Sequence, residues 1–476
     1  MPRGIAQQLR ACAILAAAAL LGAAAAPAPK TAAAVKALTG ARTRVVWVQG
    51  DGGDPYAAGF GLVLKGLDTE DGKGERAILA TRGSYVKPLL TGDGKRIVFT
   101  SHRKDKDFAF METFVVNFDG TGLTKLADGG ALAMWVEPGT GRDWVYLGTD
   151  NSAKSPGDYH TVARFALDRP GVRELVWNKT LVSGDTFQVS GDGKTGGGLF
   201  PWPKAGVAAL PNGDLRIFGE GCWTAFRDAG IGLFWYFDGS HRNVTIVDPA
   251  ANRRWNVALN QAPGFKNPEV YHPRWTNHPR FVAISGPYDR GGPNQVRSGG
   301  TQSEIYLGRF SADYSRIESW ARATENVAGD SYPDVWIDRA RSPHAAELAR
   351  PAAGKTTAAT AAAQPAKAAV VVDAKLASMT AIPTPRSIAP YRNALVVNVY
   401  DIVKVVQGEY KAPRVLVAQW AIRDARVLDE ARQRSVGSTS RLTLERYDAH
   451  PELEGERVIA ASGAPELPLY YDVARR

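Results

Sequence analysis

The chain has 476 residues, a net charge of +10 at pH 7, 49 Gly and 12 Trp. Its basic residues are scattered and no nucleic-acid motif occurs, which argues against nucleic acid and for a solvated surface that favours acidic partners such as anionic glycans. The length allows two or three domains, and the Gly and aromatic content suits an all-β chain.

Residues 1–28 read as a secretory signal. Arg3 and Arg10 form the basic end, an Ala/Leu-rich core follows, and a small-residue cleavage zone closes it. That apolar run is short for a membrane span, and no other stretch could cross one. The mature chain is therefore expected in the periplasm or secreted, with a net charge of +8 once the two arginines are removed. Cys222 would then be its one cysteine, so no internal disulfide can form.

Residues 29–43 read as a loose, Ala-rich lead-in. The strand-like "RVVWVQ" follows at 44–49, with two further strands near 61–67 and 77–80. Residues 87–130 then carry four short strands separated by the Gly92-Asp93-Gly94 and Asp119-Gly120 turns, the pattern of an antiparallel meander. Such a sheet cannot bury both faces alone and needs neighbours of its own kind. They are found downstream. Gly94, Gly141 and Gly193 occupy equivalent turns, spaced 47 and 52 residues apart. A fifth unit runs from Trp223 to Leu259. A sixth, "YHPRWTNHPRFVAIS", aligns Pro273 with Pro88 and Trp275 with Leu90, though its turn lacks the Asp-Gly pair.

Pro88, Leu90, Thr91, Asp93, Gly94, Lys95, Ile97, Val98, Phe99 and Ser101 resemble the repeat of the TolB-like (PD40, WD40-like) propeller family. The resemblance covers about residues 44–337 and implies a six-bladed β-propeller with a cell-envelope scaffold role. Blade one lacks an innermost strand, and "YPDVWI" at 332–337 is a strand with nothing after it. Pairing the two closes the ring and leaves no exposed sheet edge. The expected fold is thus all-β, with the propeller over 44–338, an Ala/Pro/Thr-rich linker over 339–369 and a small β-barrel-like domain over 370–476 that is faintly OB-like or netrin-like.

Strand direction alternates within a blade, so the links between second and third strands share a face with the start of each first strand. That face receives Asp51, Asp54, His102, Arg103, Tyr159, His160, Trp202, Lys204 and Glu220. From blades five and six it receives Asp238, His241, Arg242, Tyr271, His272, Tyr288, Asp289 and Arg290. The binding surface is centred on His241, Arg242 and His272 and is expected to take a protein or an anionic glycan. Polar loops hold His whatever their role, which is the plainer account of the same residues.

No catalytic motif is present: there is no Gly-x-Ser-x-Gly elbow, HExxH, CxxC or P-loop, and no cofactor or metal is expected. His272 and His278 lie roughly 20 Å apart along a strand and cannot share an ion. The set His102, His160, His241 and His272 could meet only across blades. The competing reading is a metal-dependent carbohydrate-active enzyme similar to the oligogalacturonate lyases, although their closely spaced His and Gln ligands are missing. Glu220 with Asp238 could serve a glycosidase. Thr91–Lys95 and Ser190–Lys194 resemble the sialidase Asp-box without its Trp. His450, among acids, reads as solvent-facing.

Overall fold

The computed structural model describes residues 30–53, 59–102, 111–152, 155–184, 186–227, 232–237, 241–251, 253–289, 299–342, 369–385, 387–388, 393–424, 426–450, 453, 456–460 and 467–475. The stretch read as a secretory signal and most of the stretch read as a linker lie outside the described residues.

Six antiparallel sheets form a propeller, five of four strands and one of five. The inner strands are Gly329–Ile337, Val86–Leu90, Gly130–Val136, Gln188–Val189, Cys222–Arg227 and Glu269–Trp275, for blades one to six. Blade one is built from both ends of the ring. Thr43–Gly50 pairs with Gly329–Ile337, bringing Arg44 opposite Trp336 and Val46 opposite Asp334. This is the closure expected from the orphan strand.

Period-two alternation gives each blade two apolar faces, and each face packs on the next blade. One cluster runs through blades five, six, one and two, from Trp235 through Trp275 to Val46 and Phe99. In it the Trp235 and Trp275 rings stack at 4.0 Å. The hairpin turns are self-capping. Thr91 Oγ1 donates to Asp93 Oδ1 at 2.7 Å and the Lys95 N–H donates to the same oxygen at 2.9 Å. Ser190, Asp192 and Lys194 repeat the arrangement. Both turns receive a Trp from the preceding blade: Trp336 Nε1 donates to Gly92 O and Trp135 Nε1 to Gly191 O, each at 2.8 Å. The Trp ring lies where a Cβ on Gly94 or Gly193 would stand. The Asp-box-like stretches are therefore staples between blades.

The lead-in differs from expectation. Lys30–Thr39 is a helix, ended by Gly40 at a φ of 68°. Its Ala32 and Val35 join Trp47, Phe281, Ala321 and Ile337 in one core over the closing seam. An Ala-rich segment forms a helix readily, and here the apolar partner comes from the two ends of the ring.

In the C-terminal domain Val370–Ser378, Ala394–Gln407, Arg414–Arg423, Leu469–Asp472 and Thr439–Arg446 pair in succession and back to the first, closing a five-stranded barrel. His450 is not solvent-facing. It is fully buried, with Nε2 2.9 Å from Glu445 Oε2 and its ring against Tyr471. A neighbouring carboxylate is what makes a polar ring tolerable there.

Candidate functional site: the channel and its mouth

The inner strands share an unusual backbone. Lys87, Trp223, His272 and Tyr332 have φ values of 51°, 43°, 50° and 51°. Three of them precede proline: Pro88, Pro273 and Pro333. A residue before proline is normally extended, and a left-handed non-glycine costs about 1–3 kcal/mol. The register slips at each place, between Val86 and Leu89, Cys222 and Ala225, Tyr271 and Arg274, and across Ser331–Asp334. These are bulges, where proline loses nothing by having no N–H to offer the ladder.

The bulges turn these side chains into the channel. His272 lies 4.2 Å from the Tyr332 ring and 4.7 Å from the Trp223 ring, and Trp223 lies 5.5 Å from Tyr332. Lys87 closes the remaining side, its Nζ donating to Gly184 O at 2.7 Å. All four are under one-tenth exposed. Together they constrict the upper half of the channel, leaving a cavity of about 20 Å³ beside them, room for about one water.

His272 has a defined tautomer in this setting. Its Nδ1 lies 2.7 Å from Ser285 Oγ, and Ser285 Oγ donates to Tyr271 O at 3.2 Å. The hydroxyl therefore accepts from Nδ1–H, and Nε2 carries the lone pair. That nitrogen is buried and has no hydrogen-bond partner among the described residues. Burial holds the His272 pKa well below its ordinary 6.5, so the ring is neutral.

Beside this constriction, the closing seam holds a second buried polar cluster. Asp330 is fully buried and accepts from Gln49 Nε2 at 2.9 Å and Asn326 Nδ2 at 2.8 Å. Glu304 lies next to it, accepting from Arg322 Nη2 at 2.8 Å and the Asn326 N–H at 3.0 Å. Burial raises the Asp330 pKa from 3.8 to about 7, against the hydrogen bonds from Gln49, Thr324 and Asn326, with Glu304 adding to the rise. Tyr288 links the two clusters, its Oη 3.4 Å from both Ser285 Oγ and Ser331 Oγ. Its burial raises the phenol pKa.

The residues singled out in the sequence are placed unevenly. Tyr271 and His272 belong to the constriction, and His241 meets Tyr271 edge to face at 5.4 Å while its Nδ1 lies 3.7 Å from Glu269. His102 is buried and its backbone N–H donates to Ser84 Oγ. His160 and Asp289 are exposed and Arg242 is half-buried. Trp202 and Glu220 face the barrel. Trp202 packs on the cluster of Ile388, Val396 and Ile422, and Glu220 repels Glu456, adding to the rise that burial imposes on the Glu456 pKa. Asp54, Arg103, Asp238 and Arg290 lie outside the described residues, and with Asp238 goes the proposed carboxylate pair. Among the described residues no group of three or more His, Cys, Asp or Glu is gathered around one point as metal ligands would be.

Sequence reasoning missed Lys87, Trp223, Tyr332 and Arg274. The first and third had a signal: "KP", "HP" and "YP" recur at the same point of three inner strands. Lower in the channel, Arg274 Nε donates to Asp334 Oδ1 at 2.8 Å, and Asp334 Oδ2 accepts the Leu90 N–H at 2.7 Å.

No family model and no curated protein matches this chain. Solved structures do. The chain is similar to TolB from Acinetobacter baumannii at 15% identity, over 63% of this chain and 69% of that one, with a TM-score of 0.41. It is similar to a chain of a nidogen/laminin complex at 10% identity, over 62% and 98%, with a TM-score of 0.41. An oligogalacturonate lyase from Vibrio parahaemolyticus matches at 11% identity, over 53% and 73%, with a TM-score of 0.33. Among the described residues no helix is long and apolar enough to cross a membrane.

Proposed function

We propose that this protein is an exported, non-catalytic propeller that binds a protein or anionic glycan partner on the mouth formed by the links between second and third strands, as a scaffold in the cell envelope. The observation that carries the reading is the constriction below that mouth. Four inner strands, three of them just before proline, adopt a strained backbone that places a lysine, an imidazole and two aromatic rings on the channel axis. An apolar plug would close a channel without strain; strained strands that bring a lysine and an imidazole to the axis beneath the mouth suit recognition better than closure alone. His160, Asp289 and Arg242 supply polar contacts around the rim. The barrel, resting on Trp202, bounds the surface on one side and offers a partner a second contact.

The test is binding of the purified protein to an array of neutral and acidic glycans and to cell-envelope protein fractions, with Arg242→Ala and His160→Ala alongside. Loss of a bound partner in both variants supports the reading. Stoichiometric Mn or Zn in the purified protein, removed by His241→Ala, would instead support the lyase-like enzyme.

A further inference from the structure

The lower half of the channel opens to the opposite face, the one that carries the hairpin turns. It holds a cavity of about 150 Å³, and among the described residues its charged lining is Arg274 and Asp334. These two are not equivalent. Both Asp334 oxygens are engaged by the protein, one by Arg274 Nε and the other by the Leu90 N–H. Arg274 uses Nε alone. Among the described residues neither of its Nη groups meets an acceptor, and its side chain is 16% exposed. Arg274 also lines the smaller cavity above, together with Lys87, so the channel carries an excess of positive charge.

We propose that this vestibule is a binding site for a carboxylate carried on a short stem or a single ring, held by the outer fork of Arg274. A guanidinium with both Nη groups open presents parallel donors at the spacing of two carboxylate oxygens. Asp334 holds the fork in place through Nε without occupying those donors. Leu90, Trp275 and Trp336 give the wall an apolar side suited to the stem or ring behind the carboxylate, while Gln188, Thr276 and Asn277 make the rest of it polar.

Two small acids separate the sources of such a group: glucuronate for an acidic sugar and N-acetylglutamate for an acidic peptide. Each is titrated into the full-length protein by calorimetry beside its neutral analogue, glucose or N-acetylglutamine. At least one acid is expected to bind about tenfold more tightly than its analogue, and the better acid names the source. Arg274→Lys keeps the charge but loses the fork and is expected to weaken binding at least about tenfold. Asp334→Asn removes the competing negative charge and is expected to tighten it. The proposal is overturned if neither acid binds at about 10 mM, if inorganic sulfate binds as tightly as the acids, or if Arg274→Lys folds and binds unchanged. Should Arg274→Lys fail to fold, the acid-over-neutral preference and the tightening by Asp334→Asn decide, and absence of either overturns it.

Discussion

The two halves of the channel are lined by the same inner strands and are built in opposite ways. Above, left-handed residues aim Trp223, His272 and Tyr332 at the axis and fill it with rings. Below, the strands are regular, and an ion pair spans the gap from Arg274 in blade six to Asp334 in blade one. One residue of bulge per strand makes the difference. A propeller can thus change what its channel accepts without changing its blades, because the ladder hydrogen bonds of the outer strands carry the fold.

The sharpest way to break the contrast is at the lower bridge. Asp334→Ala strands Arg274 and the Leu90 N–H and should cost about 3 kcal/mol in chemical denaturation, near the range for halving a buried pair. A loss under 1 kcal/mol, roughly the worth of a surface pair, would mean that the bridge is solvated.

Next in size is the seam. The folded protein holds the Asp330 proton more tightly than the unfolded chain does, since its pKa rises from 3.8 to about 7. This contribution to stability is full below pH 3.8 and is lost as pH rises through about 7. Asp330→Asn should remove a decline on the order of 2–4 kcal/mol across that window. Parallel wild-type and variant stability curves would count against it.

The upper constriction should show the opposite sign. His272 is held neutral, so its contribution is full above pH 6.5 and falls as pH drops toward its depressed folded value. His272→Gln should flatten a slope of at most about 1.4 kcal/mol per pH unit below 6.5. A directly measured imidazole pKa near 6.5 in the folded protein would show the ring to be solvated.

The smallest effect belongs to the domain contact. Trp202→Ala should separate the barrel from the propeller, read as a larger radius of gyration in solution scattering, and should lower the propeller's melting temperature by a few degrees at most, since Trp202 also packs on Leu199, Phe226 and Phe234. An unchanged radius would show that other contacts hold the barrel.

Much of the fold was legible in the sequence because it rests on local chemistry. Asp93-Gly94 and Asp192-Gly193 make turns wherever they stand, and the equivalent glycines of three successive blades mark a period that only a stack of like sheets explains. The orphan strand ending at Ile337 had one place to go. The site was less legible. Strand direction groups the His residues on one face, but it does not say which are exposed: His102 and His241 prove buried and Trp202 turns to the barrel. The helix at Lys30–Thr39 shows the same limit: its face is apolar only weakly, and its partner comes from residues some 300 positions away, such as Ile337.

Turn chemistry and strand alternation act over a few residues, so blade number, ring closure and the separate barrel could be read along the chain. Which side chains reach the axis, which charges are stripped of water and which faces meet the second domain depend on blades far apart in sequence. Burial and convergence are properties of the closed ring, and they set the neutral His272, the raised pKa of Asp330 and the open fork of Arg274.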